Sequence, residues 1–158
     1  MSNYSPEGTL NRPICLIGEA PAKEEMKIGK PFQGPAGRIL NECLHHAKII
    51  RRDCYITNVF DFPVFKKKQG GESDRIFRTS DGVLLFNGNR FTDEGLQSLE
   101  RLLSELDSCS ANVYVPMGNC AQYALLGRVQ ITKWRGSILK GTNLKGRKCI
   151  PTIHPAST

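Results

Sequence analysis

Residues 13–37 read PICLIG followed by GEAPAKEEMKIGKPFQGPAG, the two stretches sharing Gly18. The first is a short, nearly continuous apolar run, the pattern of a strand covered on both faces. The second is rich in Gly, Pro, Lys and Glu and holds one aromatic residue, Phe32. Its glycines and prolines suggest a phosphate loop, but Glu19 stands where such loops carry a lysine, and the spacing is not G-x-G-x-x-G. A carboxylate, an aromatic face and tight turns at the mouth of a buried strand mark this stretch as a site.

The rest of the chain supplies a frame for it. PAGRILNECLHHAKI repeats Ile39, Leu40, Cys43, Leu44 and Ala47 at helical spacing, and Pro35 suits the first turn. DCYITNVF (53–60) is a second strand. PVFKKKQGGESD is basic and turn-rich, and RIFRTSDGVLLFNGNRF reads as a hairpin turning at Asp81-Gly82. TDEGLQSLERLLSEL is a helix with Thr92 as its N-cap. ANVYVPMG is a third strand, and NCAQYALLG a short helix stopped by Gly127. WRGSILKGTNLKGRKCIPTIHP gives a strand, a Gly-rich turn and a strand ending at His154-Pro155. Strands alternating with helices predict an α/β fold, a three-layer α/β/α sandwich around a central, mostly parallel four-stranded sheet. The expectation is one domain over residues 1–158, with a β-hairpin insertion over about 66–91.

In an open parallel sheet, ligands bind beyond the carboxyl ends of the strands. Those ends fall at Gly18-Glu19, Thr57-Asn58, Met117-Gly118 and Ile153-His154. A carboxylate, an amide and an imidazole are thus expected on one rim.

The charge balance, 22 Lys and Arg against 15 Asp and Glu for a net +7, favours a polyanionic partner. No apolar run approaches the roughly 20 residues of a membrane span. The start, MSNYSPEGTLNRP, lacks the apolar centre of a signal peptide, so a cytoplasmic location with no membrane partner is expected. The six cysteines, at 15, 43, 54, 109, 120 and 149, form no C-x-x-C pair. Cys15, Cys54 and Cys149 sit in strand-like runs, where a reduced thiol behaves as a small hydrophobe.

Six blocks in order, GEAP, GKPFQGPAGRIL, CYITNVF, VYVPMGNCA, ITKWRG and PTIHP, resemble the uracil-DNA glycosylase superfamily from about residue 13 to 155. The closest branch is the one whose members carry an iron–sulfur cluster. The resemblance implies cleavage of the N-glycosidic bond of deoxyuridine in DNA, on a base flipped out of the stack. It implies Phe32 as the stacking platform, Asn58 as the reader of the pyrimidine edge, and Glu19 as the group that orients water or steadies the cationic sugar. His154 would face uracil O2. Gly18, Ala20 and Pro21 would shape the pocket, with Gly34 and Gly37 nearby. Gly118 and Asn119 would open a helix whose N–H groups meet a DNA phosphate, and Lys133 and Arg135, with Lys140 and Lys145, would track the backbone. His45 and His46 receive no role.

Two departures qualify the likeness. The cluster-bearing branch has two cysteines near its N-terminus, a third after the Asn strand and a fourth in the next helix. Here no cysteine precedes Cys15, Phe62 stands at the third position and Ser98 at the fourth. The expectation is therefore no iron–sulfur cluster, no other metal and no organic cofactor. Relatives also continue beyond the HP dipeptide into a DNA-inserting loop and a further helix, which this chain is expected to lack. Some bacteriophage replication polymerases begin with a glycosylase-like module, so the chain is expected to act as a monomer or as a module of a longer polypeptide. The alternatives are a catalytically silent DNA-binding module, such as the N-terminal part of a phage DNA polymerase, and a preference for another deaminated base such as hypoxanthine or xanthine.

Overall fold

A computed structural model describes residues 3–66 and 76–157. Strands β1 (Ile14–Gly18), β2 (Cys54–Asn58) and β5 (Val113–Pro116) form its centre. β1 lies between the other two, parallel to both, in a register that pairs Gly18 with Asn58 and Ile17 with Pro116. All of β2 is buried, as an apolar run within a parallel sheet requires.

Alternation along these strands divides the core. Cys15, Ile17, Tyr55 and Tyr114 face one side and pack with Leu102 and Leu106 of α3 (Asp93–Asp107) and Cys120, Ala121, Ala124 and Leu125 of α4 (Asn119–Leu126). Leu16, Cys54 and Ile56 face the other side and meet Leu40 and Leu44 of α2 (Pro35–His46). The period of two along each strand thus places helices on both faces and makes three layers. Pro35 opens α2, and the Thr92 Oγ1 accepts the Gly95 N–H at 3.2 Å to cap α3.

The sheet has five strands where the sequence suggests four, in the order β2-β1-β5-β7-β6. β7 (Lys148–Cys149) runs parallel to β5, and β6 (Leu139–Lys140) adds an antiparallel edge. Both are two residues long because the Gly141 to Gly146 turn folds the chain back tightly. The last strand therefore does not reach His154. The chain continues extended beside β5, with Thr152 bridged to Met117, and delivers His154 to the rim. Two short helices escape the sequence reading: α1 (Lys23–Ile28) within the first loop and α5 (Ile131–Trp134) before β6. The hairpin is present as β3 (Phe77–Arg78) and β4 (Leu84–Phe86), turning through Gly82 at φ +91°. Residues 67–75 of the proposed insertion lie outside the described residues.

Candidate active site

Gly18 and Asn58 end adjacent parallel strands side by side, which is how the sheet presents an amide at its carboxyl edge. A Cβ on Gly18 would lie 2.4 Å from Asn58 Oδ1 and 2.6 Å from Phe32 Cζ, so only glycine admits both groups there. Asn58 Nδ2 donates to the Tyr4 hydroxyl. Its Oδ1 is buried without a hydrogen-bond partner among the described residues. A buried acceptor left open costs about 1–3 kcal/mol unless a ligand fills it. From behind, Arg101 Nη2 donates to the carbonyls of Asn58 (2.7 Å) and Val59 (2.8 Å), fixing the strand end.

Phe32 is buried and has φ +53°, a left-handed conformation that a bulky side chain rarely adopts. Such strain, of order 1–3 kcal/mol, persists only where neighbours enforce it. Arg51 Nη2 holds the Pro31 carbonyl at 2.9 Å and the Phe32 carbonyl at 3.3 Å while its guanidinium pairs with Glu7. Gly37 lets the Phe32 carbonyl approach so closely that a Cβ would lie 2.1 Å from it. Glu25 ties the loop together. Its carboxylate accepts the Ala22 N–H at 2.9 Å, the Gln33 N–H at 2.9 Å and the Gly34 N–H at 2.8 Å. Burial alone would raise the Glu25 carboxyl, but these backbone donors outweigh it and hold the group below its ordinary value.

Glu19 is 7% exposed, and its Oε1 accepts from Lys66 Nζ at 3.0 Å. Gly118, at φ +98°, sits between Glu19 and His154: a Cβ there would lie 3.2 Å from Glu19 Oε2 and 3.3 Å from His154 Cβ. The His154 ring centroid is 5.7 Å from that of Phe32. Its Nδ1 accepts the Ala156 N–H at 3.1 Å, which leaves the proton on Nε2 in the neutral ring. Burial holds the imidazole below its ordinary value; Glu19 pushes it up and Lys66 pushes it down.

Glu19, Ala20, Pro21, Phe32, Asn58 and His154 line one cavity of about 870 Å³, joined by Glu25 and Lys66. Gly18 and Gly118 shape it from beneath. The Gly118 N–H, one of those expected to meet a DNA phosphate, is taken by the Thr152 carbonyl at 2.9 Å, because the extended chain before His154 runs alongside. The Asn119 side chain donates to the Gly88 carbonyl and accepts the Gln130 N–H. Lys133 lies outside the cavity, with Nζ 5.0 Å from the Trp134 ring centre, and Arg135 is exposed at the end of α5. Tyr4, Glu25 and Lys66 are absent from the sequence reading. Glu25 alone had a signal, a carboxylate three residues into a helix where it can reach back to free N–H groups.

The chain matches the family described as the uracil DNA glycosylase superfamily over residues 5–158. It belongs to that superfamily. It is 32% identical over 152 residues to the Type-4 uracil-DNA glycosylase of Thermotoga maritima, covering 95% of this chain and 68% of that protein. The Type-4 uracil-DNA glycosylase of Archaeoglobus fulgidus is 44% identical over 59 residues, covering 37% of this chain and 30% of that protein. A DNA polymerase of Bacillus phage SP01 is 25% identical over 150 residues, covering 94% of this chain and 14% of the polymerase.

An iron–sulfur cluster of the kind this superfamily suggests needs thiolates gathered at one point. Phe62 instead places its ring 5.8 Å from that of Phe60, and Ser98 is buried within α3. Burial pushes the thiols of Cys54 and Cys149 up to about 11 and those of Cys15 and Cys120 well above their ordinary value, favouring the protonated form, whereas a hydrogen bond with Cys15 lowers that of Cys109. Among the described residues, no group of three or more His, Cys, Asp or Glu is placed to hold a metal ion. The residues present do not fit such a cluster. No helix among the described residues is long and apolar enough to cross a membrane.

Proposed function

We propose that this chain hydrolyses the N-glycosidic bond of deoxyuridine in DNA, the first step of uracil base excision. The observation that carries the reading is that Asn58, whose buried Oδ1 has no hydrogen-bond partner among the described residues, lines one cavity with Phe32, Glu19 and His154. A flipped uracil stacks on Phe32, an interaction worth about 1–3 kcal/mol. Its N3–H donates to Asn58 Oδ1, and the Nδ2 hydrogen not used by Tyr4 donates to O4. Cytosine, which carries no proton on N3 and an amino group at C4, mismatches both contacts. Gly18, Ala20 and Pro21 bring the backbone close around the base.

Glu19 orients a water toward C1′ and accepts its proton as the bond forms. The C1′–N1 bond breaks, its electron pair leaving with the base, and charge builds on uracil O2. His154 Nε2–H donates to that oxygen. A single preorganised donor of this kind contributes about 2.7–4 kcal/mol. The products are free uracil and an abasic sugar, and the sequence of steps runs through no cofactor or cluster. Lys133 and Arg135 contact the DNA backbone, consistent with the net charge of +7.

The test is release of free uracil from single- and double-stranded oligonucleotides carrying one deoxyuridine, resolved by chromatography, with hypoxanthine and xanthine substrates in competition. Uracil release that disappears in Glu19→Gln and His154→Ala supports the reading; none from the folded wild-type chain overturns it. The similarity to 14% of a phage polymerase favours a second reading, a catalytically silent DNA-binding module of a larger replication protein. DNA binding without base release would select it.

A further inference from the structure

The segment between β2 and α3 contributes a charge to the cavity that the reaction as described leaves unused. Lys66 follows Phe65, whose N–H and carbonyl pair with the carbonyl and N–H of Arg78 on β3 at 2.8 and 3.0 Å. Its ammonium lies 4.9 Å from the centre of the Phe77 ring, and that ring is buried against Phe60 and Phe86. The hairpin thus anchors Lys66 through backbone bonds on one side and through an aromatic face on the other. From there Nζ reaches Glu19 Oε1 at 3.0 Å, pairing a 44% exposed lysine side chain with a 9% exposed carboxylate.

We propose that Lys66 is a positioning residue for Glu19 and that the β3–β4 hairpin is thereby a working part of the active site. The proposal rests on the glycosylase reading above. Burying an ionised carboxylate is unfavourable unless it is paired. Lys66 pairs it through one oxygen, Oε1. The other oxygen, Oε2, is left on the side of Gly118, 3.2 Å from where a Cβ of that residue would lie, a point 3.3 Å from His154 Cβ. In the proposed reaction that is the oxygen left to orient the water. Without Lys66 the carboxylate is free to rotate, and an error of about 1 Å in placing such a group costs about 10²-fold in rate. The same ammonium opposes protonation of His154, whose charged neighbours are Glu19 and Lys66.

The experiment compares Lys66→Met, which keeps the stem over Phe77, with Lys66→Arg, which keeps the charge, and places Lys66→Met also in a Glu19→Gln background. Single-turnover uracil release is expected to fall about 10²-fold in kcat for Lys66→Met, with little change in KM. Lys66→Arg is expected to recover most of that loss. In the Glu19→Gln background, Lys66→Met should add almost nothing, because a residue acting through another is non-additive with it. NMR titration of the free protein should show the His154 midpoint moving up in Lys66→Met and staying put in Lys66→Arg.

Four results overturn the proposal: wild-type kcat in Lys66→Met, equal losses in both Lys66 variants, a full additional loss in the Glu19→Gln background, or an effect confined to KM. Trapping of Lys66 on an abasic site by borohydride also overturns it, since that requires a free amine acting as nucleophile. If the wild-type chain releases no uracil, the glycosylase reading fails by itself. The His154 titration then still decides whether Lys66 and Glu19 form the coupled pair.

Discussion

Replacing Gly18 by alanine adds one methyl group and should silence the site while leaving the fold intact. The new Cβ would lie 2.4 Å from Asn58 Oδ1 and 2.6 and 2.7 Å from two carbons of the Phe32 ring. Comfortable carbon contacts are about 3.5–4.0 Å, so the amide and the ring must each retreat by about 1 Å. Overpacking of this kind costs about 1–3 kcal/mol of stability. The same 1 Å displacement at a reacting centre costs about 10²-fold in rate, because the base-reading amide and the stacking ring move apart. Gly146→Ala is the matched control. It has φ +80° with nothing within 4 Å of an added Cβ. It should lose about 1–2 kcal/mol through left-handed strain and release uracil at the wild-type rate. Urea denaturation gives the stability of each variant, and single-turnover uracil release gives its rate. Near-wild-type release by Gly18→Ala would refute the claim that Asn58 and Phe32 act together on one base.

Phe32→Ala should weaken binding of uracil-containing DNA by about 1–3 kcal/mol, measured by fluorescence anisotropy, while relieving little backbone strain. Asn58→Asp removes the N–H donor to O4 and offers only acceptors. Uracil release should fall by about 1–3 kcal/mol in transition-state stabilisation, and the ratio of cytosine to uracil release should rise in a competition assay. His154 has a lowered folded-state pKa, so between that value and its ordinary 6.5 the unfolded chain binds more protons than the folded one. Stability should therefore rise with pH through that window, and the His154 contribution to stability should disappear as pH falls through the folded pKa. Urea melts of wild type and His154→Gln across acidic pH check the sign.

Glu19, Asn58 and His154 could be placed on one rim from the sequence because parallel strands end together, and an apolar run followed by a polar residue marks each end. His154 reaches the rim by a different path, along extended chain beyond the two residues of β7, since the tight turn before β7 shortens that strand. α1 left no trace in the apolar pattern: KEEMKI has charged residues on most positions, and its N-terminus is secured by the Glu25 carboxylate rather than by a buried stripe. The strain at Phe32 was equally invisible, because Arg51 and Gly37, which enforce it, lie 19 and 5 residues further on. Tyr4 and Lys66 sit in polar stretches without periodicity, and only tertiary contacts bring them to Asn58 and Glu19.

The most direct test is a crystal structure of this chain with uracil bound. The ring should lie flat on Phe32, with N3 within hydrogen-bond distance of Asn58 Oδ1 and O2 facing His154 Nε2. Uracil seated elsewhere, or an Asn58 Oδ1 that remains without a donor beside a bound base, would contradict it.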